Sequence, residues 1–443
     1  MLLLLILSRY AAAQQPSTLT VAQAVAMALE KNPLHKAAMA EQRVAQADVR
    51  EARSAFLPRI AFSEGVARGN DPVFAFGTRL RQGRFTDSDF ALNRLNHPAP
   101  ISDFSTRFGG QWNVFDSFAS SLSLRRARQM NNAAAQQLAR SDQETVFRVI
   151  QAYHALLLAG KQQELAEQTV KTAQSVLELS QARVQAGTVV ESDLLAAQVN
   201  LATRRQELIR ARNAVAMARA QLSVAIGLPD GAFDAAAPLQ ERVLPNPALA
   251  EAETQALQQR PDLKQIASQT GAQETGVRLA KAAFGPRVNL IAGWEMDKAA
   301  FAGNGGNNWV AGAEVQFDLF AGGQKVARLS REKALLDRAG ALQQAAKDGV
   351  RLEVRRAYYD YDAARQTMDV ARTVVAQAEE GLRINQNRYD AGLITITDLL
   401  RAEDAARGSR TTYWESVSRY QTSYAALELA VGSLNPQSAV VTQ

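Results

Sequence analysis

The chain has 443 residues, a formal charge of +6, 47 % hydrophobic residues and no cysteine. That length suits two or three ordinary domains, and without cysteine there is no disulfide framework, thiolate chemistry or lipid-anchoring thiol. Acidic and basic residues are interleaved, which argues against a nucleic-acid surface, and beyond the N-terminus no apolar run approaches the ~20 residues of a membrane helix.

The chain opens MLLLLILSRYAAAQQP, with an apolar core from Leu2 to Leu7 and Ala11-Ala12-Ala13 before Gln14. This pattern resembles an export signal occupying residues 1–13, although Arg9 follows the core where a base usually precedes it. The remainder divides into a first repeat over 14–228, a linker at 229–250, a second repeat over 251–434 and a tail at 435–443 expected to be flexible.

The repeat is read from aligned landmarks. Pro33 matches Pro261 and Pro58 matches Pro286, both 228 residues apart, whereas WNVFDSF (112–118) matches FDLFAGG (317–323) at 205. The offset changes by 23, so the first copy carries that many extra residues between Pro58 and Trp112. Just after Pro58 and Pro286 the pattern has period two. Val288, Leu290, Ala292, Trp294 and Met296 alternate with a mostly polar set, and Ile60, Phe62 and Val66 do the same more weakly. Strands are therefore expected at about 58–68 and 286–296, with return strands at about 105–115 and 309–318. Trp112, Trp294, Trp309 and Phe317 fall on the apolar faces, as aromatics at a membrane interface do. The segments joining the strands read as turn-rich loops, long in the first copy and short (GNGGNN, 303–308) in the second.

All 13 prolines lie outside 101–228 and 287–435, which leaves both windows free to be helical. The first could run unbroken from about Ala119 to Gln185, roughly 100 Å at 1.5 Å per residue, a span rather than a globular core. From 194 to 226 a heptad seam is formed by Leu194, Leu201, Leu208, Val215 and Leu222, with Ala197, Ala211, Ala218 and Ala225 in the companion row and Arg204 as the exception. Between the long runs lie two related hinges, ARVQAGTVVESDLLAAQ (182–198) and NRYDAGLITITDLLRAE (387–403). Gly187 and Gly392 fit helix C-terminal caps, and Asp193 and Asp398 fit an N-cap or first-turn acid. The linker, with four prolines, reads as irregular.

Catalytic chemistry is nearly absent. His35, His97 and His154 are the only histidines, none at ligand spacing with another, and are expected in surface or wall roles. No nucleophile motif, phosphate loop or dinucleotide fingerprint is present, so neither an enzyme, a cofactor nor a metal is expected.

The duplicated order of elements resembles the TolC-like outer-membrane efflux proteins over nearly the whole mature chain. The resemblance rests on ALEKNPLHKAAMAEQRVAQADVREARSAFLPRI, on RPDLKQIASQTGAQETGVRLAKAAFGPRVNL, on both Ala-Gly hinges with their Asp-Leu-Leu, and on the joints NVFDSFAS and DLFAGGQ. It implies a mainly α fold with a membrane β-barrel: a homotrimer, each chain donating four strands to a 12-stranded barrel in outer-membrane lipid above a periplasmic α-helical barrel. It also implies a passive exit duct serving a periplasmic adaptor and an inner-membrane pump of RND or ABC type. The hinges at 187–193 and 392–398 would be the periplasmic tips. In such channels a Tyr before the second hinge and polar links between hairpins hold the entrance closed. Tyr389 stands at that Tyr position, Asp193 at the first-hairpin acid with Ser192 before it, and Asp398 at an acidic ring. Arg401 replaces a second acid, and Ile394 replaces an Arg that would pair with the first-hairpin acid. The family often has a lipidated N-terminal cysteine, so here no lipoprotein anchor is expected. The competing reading is a periplasmic coiled-coil scaffold with a small soluble sheet and no channel.

Overall fold

A computed structural model of the chain describes residues 17–231 and 233–442; the expected export signal at 1–13 lies outside the described residues. In chain order the elements are β1 (Ser17–Leu19), α1 (Val21–Lys31), α2 (Pro33–Ser54), β2 (Arg59–Gly69), α3 (Pro72–Arg81), a 3-10 turn (Asp87–Phe90), α4 (Leu92–Asn96), β3 (Ile101–Phe115), α5 (Ala119–Gln185) and α6 (Glu191–Ile226). Then follow β4 (Phe233–Ala235), α7 (Leu249–Gln259), α8 (Pro261–Ala282), β5 (Arg287–Lys298), β6 (Gly305–Gln316), α9 (Gln324–Asp390), α10 (Ile396–Val431) and α11 (Ala439–Thr442).

The duplication is visible to the residue. Every boundary of α5 and α6 recurs 205 residues later in α9 and α10, and every boundary of α1 and α2 recurs 228 residues later in α7 and α8. One joint shows the copies diverging. The turn into α9 uses Gly322 and Gly323, both at positive φ, where the turn into α5 forces Ser117 (φ 55°) and Phe118 (φ 69°) into the same left-handed region.

The described residues group into two units. The first comprises residues up to 42, 134–265 and 344 onward. Its centre is packed from α1, α5, α6, α7, α9 and α10 around buried Val25, Ile150, Leu222, Tyr361 and Leu427. Tyr361 stacks on Tyr420 at 5.4 Å and donates to the Pro245 carbonyl at 2.7 Å. Buried Arg260 pairs with Asp262 and Glu353, each at 2.7 Å, and donates to the Ala430 carbonyl. Two expectations are corrected here. The linker at 229–250 contains β4, which pairs in parallel with β1, and Phe233 and Leu19 are both buried in the core of this unit. The segment 435–442 is packed, not free: the Asn435 amide donates to the Ser438 hydroxyl, the Ser438 amide donates to the Asn435 carbonyl, and Val440 and Val441 are buried. Burial of two adjacent β-branched apolar residues, with the Asn435–Ser438 hydrogen bonds, offsets part of the chain entropy that ordering the segment costs.

The second unit comprises 43–133 and 266–343. It holds one antiparallel four-stranded sheet in the order β2-β3-β5-β6. The ladder places Phe62 opposite Phe108, Phe108 opposite Trp294, and Trp294 opposite Trp309, so one face is apolar across all four strands. The other face carries Arg59, Arg107, Gln111, Asn113, Asn289, Glu295 and Glu314. The strands differ from expectation at their ends. β3 starts at Ile101 and β6 at Gly305, while Phe317 stands one residue past β6. The long connection of the first copy is also not simply turns. It forms α3, the 3-10 turn and α4, with Asp71 capping α3 through the Phe74 amide at 2.8 Å and Pro72 at the first helical position.

Candidate functional site

The two hairpin turns are built on one backbone template. After α5, Gly187 adopts φ 69° and the Thr188 amide donates to the Arg183 carbonyl at 2.9 Å; after α9, Gly392 adopts φ 75° and the Leu393 amide donates to the Arg388 carbonyl at 2.8 Å. Both are glycine-terminated helix ends in which the left-handed residue frees the chain to reverse. Ser192 and both glycines are exposed.

The restarts differ. Thr395 at φ −79°, ψ 160° caps α10: its hydroxyl accepts from the Asp398 amide, and the Asp398 carboxylate accepts from the Thr395 amide and hydroxyl. Val190 holds nearly the same angles (φ −87°, ψ 155°) before α6 and has no side chain to cap with. Asp193 and Asp398 are thus third residues of their helices, first-turn acids rather than N-caps. The Thr395 hydroxyl and amide, with Arg401 further off, hold the Asp398 carboxyl below its usual range. Arg401 lies 3.5 Å from that carboxylate and is itself largely exposed.

Between the turns lies a small apolar core. Tyr389 is 3 % exposed and packs with Val176, Ala197, Ile396 and Leu399, with Ile394 and Ala196 at the margin. The Tyr389 hydroxyl has no hydrogen-bond partner among the described residues. Arg183 crosses from α5 to cover this tyrosine. Its guanidinium sits 4.7 Å from the ring centroid, donates to the Tyr389 carbonyl at 3.4 Å and lies 3.6 Å from the Asp390 carboxylate. The cross-hairpin cation therefore comes from the first hairpin, while Ile394, at the position expected to lack it, serves as packing. Asp193 makes no ion pair among the described residues. The missed signal was in the hinge motifs themselves, since Arg183 and Arg388 are repeat equivalents.

Farther along α6, Arg204 explains the broken heptad. It is 7 % exposed, bonds Glu207 at 2.9 Å and Asn200 at 3.0 Å, and forms an ion pair with Asp404 of α10. Arg407 of α10 returns to Glu207 at 3.7 Å and Asp404 at 3.4 Å. A seam position that should be alanine is instead a second clamp between the hairpins.

On the sheet, Trp112 donates from its indole to the Phe56 carbonyl at 3.0 Å, Trp294 lies 5.9 Å from Phe108, and Trp309 is 78 % exposed. Phe317 is exposed on the continuation of the same face. Among the described residues no cluster of His, Asp and Glu is placed to hold a metal ion, and no helix is long and apolar enough to cross a membrane.

The model of the family described as outer membrane efflux protein matches residues 24–228 and 253–433, one block on each copy of the repeat. The chain belongs to that family. Among curated relatives, CyaE of Bordetella pertussis is 26 % identical, aligned over 94 % of this chain and 84 % of its own. The alkaline protease secretion protein AprF of Pseudomonas aeruginosa is 24 % identical over 92 % and 83 %. The fold is that of the CmeC outer-membrane channel of Campylobacter jejuni (TM-score 0.78, 18 % identity, 95 % of this chain and 87 % of that one). It is also that of VceC from Vibrio cholerae (TM-score 0.76, 20 % identity, 93 % and 96 %). This outer-membrane efflux protein thus resides in the outer membrane of a Gram-negative envelope and reaches into the periplasm as a transport channel.

Proposed function

We propose that three copies of this chain close their sheets into one barrel and form the passive exit duct of a tripartite efflux or type I secretion assembly. The observation that carries this is the sheet itself. Its apolar face suits lipid, yet β2 and β6 are unpaired edges of 11 and 12 residues. Open edges are not tolerated in a bilayer, so other copies must pair them. Three copies of four strands fall within the size range of such barrels. A soluble scaffold would have no use for a continuous exposed face of Ile60, Phe62, Trp309 and Val315.

The hairpin turns would meet a periplasmic adaptor tied to an inner-membrane pump, which supplies the energy. Arg183, Tyr389 and Asp390, with the Arg204–Asp404 clamp, would hold the two hairpins of each chain together and keep the entrance narrow. Cargo selection would rest with the pump and adaptor. The cysteine-free sequence makes a direct test possible. Ser63→Cys on β2, combined in turn with Asn308→Cys, Val310→Cys and Gly312→Cys on β6, should in one pairing give a covalent species of three chains under oxidation. A ladder ending at two or four chains, or no cross-link in any pairing, would sink the trimer.

A further inference from the structure

The extra segment of the first copy, residues 70–100, folds onto a defined face of the sheet. On β3, β5 and β6 the polar face carries Asp103, Ser105, Arg107, Gln111, Asp297, Glu295 and Gly306. Because the opposite face is the apolar one, this polar face is the channel side of the barrel. α3 lies against it where β3 begins and β5 ends. The Gln82 amide that follows α3 donates to the Ser102 carbonyl at 2.9 Å, to Asp103 at 3.1 Å and to the Lys298 carbonyl at 3.1 Å. Arg81 lies 3.9 Å from Glu295, which is also held by Arg107 at 2.7 Å. A Cβ on Gly306 would come within 1.9 Å of the Arg81 carbonyl oxygen, so glycine is what lets α3 seat this closely.

Burial follows the same line. Asp103, Ser105 and Asp297 are all under 7 % exposed, whereas Gln111, deeper along the same face of β3, is exposed. The segment is braced internally as well. Asp89 accepts from the Thr86 amide and hydroxyl and pairs with Arg79 at 2.5 Å, and Phe85 stacks edge-on between Phe76 and Phe90. A floppy surface loop would need neither device.

We propose that residues 70–100 are a folded exit plug: three copies, one from each chain, narrow the extracellular mouth from within, so that this segment and not the barrel wall sets the size limit there. The proposal rests on the barrel reading above. It is tested with Gln111→Cys as the single thiol in the chain, labelled from outside intact cells with a small impermeant maleimide or with a polyethylene-glycol maleimide. The small reagent should react and the polymer should react slowly. Replacing 70–100 by the short turn 299–304 of the second copy should speed polymer labelling roughly tenfold, since access through a pore depends on its diameter. Gly306→Val should do the same by unseating α3 while leaving the segment in place. Equal polymer rates with and without the plug, in both variants, would overturn the proposal. Failure of even the small reagent to reach the thiol introduced at position 111 would overturn the barrel reading and the plug with it.

Discussion

The Arg183 guanidinium lies 4.7 Å from the Tyr389 ring centroid and 3.4 Å from the Tyr389 carbonyl oxygen, so the end of α5 is tied to the end of α9 through one tyrosine. A cation over an aromatic face contributes about 0.5–2 kcal/mol, depending on how much water is excluded. Arg183→Ala and Tyr389→Ala should each raise conductance in planar bilayers. Tyr389→Phe should stay near the parent, because the hydroxyl has no partner among the described residues. Parental currents in both alanine variants would remove this pair from the gate.

The Arg204 clamp should matter for stability as well as for gating. Arg204→Ala removes charged hydrogen bonds to Glu207 and Asp404 and opens a gap in the seam. A loss of about 1–3 kcal/mol is expected, since Asp404 is half exposed and water can take over part of its solvation. Arg204→Leu, which completes the heptad, should recover some of that loss. Thermal dissociation of the purified protein would measure both, and equal melting of Arg204→Ala and parent would show the clamp to be idle.

The unequal helix starts make a gain-of-stability test. Val190 already has the backbone angles of a capping residue and Asp193 already occupies the third position. Val190→Thr should therefore complete a capping box and stabilise the start of α6 by about 1 kcal/mol. Slower amide hydrogen exchange at Glu191 to Asp193 would register the gain, whereas exchange as fast as in the parent would contradict it.

Arg401 sits where a second acid was expected, 3.5 Å from Asp398. Three such pairs around a narrow axis would partly cancel the field of the acidic ring. Arg401→Ala should therefore increase cation preference in reversal-potential measurements, and Asp398→Ala should decrease it. If neither variant shifts the reversal potential, the ring has no part in selectivity.

His154 gives a pH test. Burial, with a smaller contribution from Arg242, lowers its pKa from 6.5 to about 4, and neither ring nitrogen has a hydrogen-bond partner among the described residues. The unfolded chain takes up a proton near 6.5 while the folded chain resists until about 4. The contribution to stability is therefore full above the unfolded value and is lost as pH falls through that window. Melting temperature should drop over this range, and the drop should be shallower in His154→Leu. An identical pH slope in the two proteins would show that other groups carry it.

The sequence by itself determined the duplication, the long helices, the glycine turns and the faces of the strands. Each rests on a local regularity: proline is excluded from helix interiors, strand side chains alternate with period two, and glycine reverses a helix end cheaply. The tertiary structure alone decided which hinge residue meets which. Arg183 reaches Tyr389, and Arg204 reaches Asp404, across about two hundred residues of chain, and no periodicity encodes partners so far apart. It also decided that the segment 70–100 forms helices and seats on the polar face. That placement depends on a glycine at 306 and on carbonyl groups at Ser102 and Lys298, whose availability arises only once the sheet is paired. The C-terminal residues illustrate the same division: short and polar enough to read as free, they pack because Val440 and Val441 find a groove that exists only in the assembled helices.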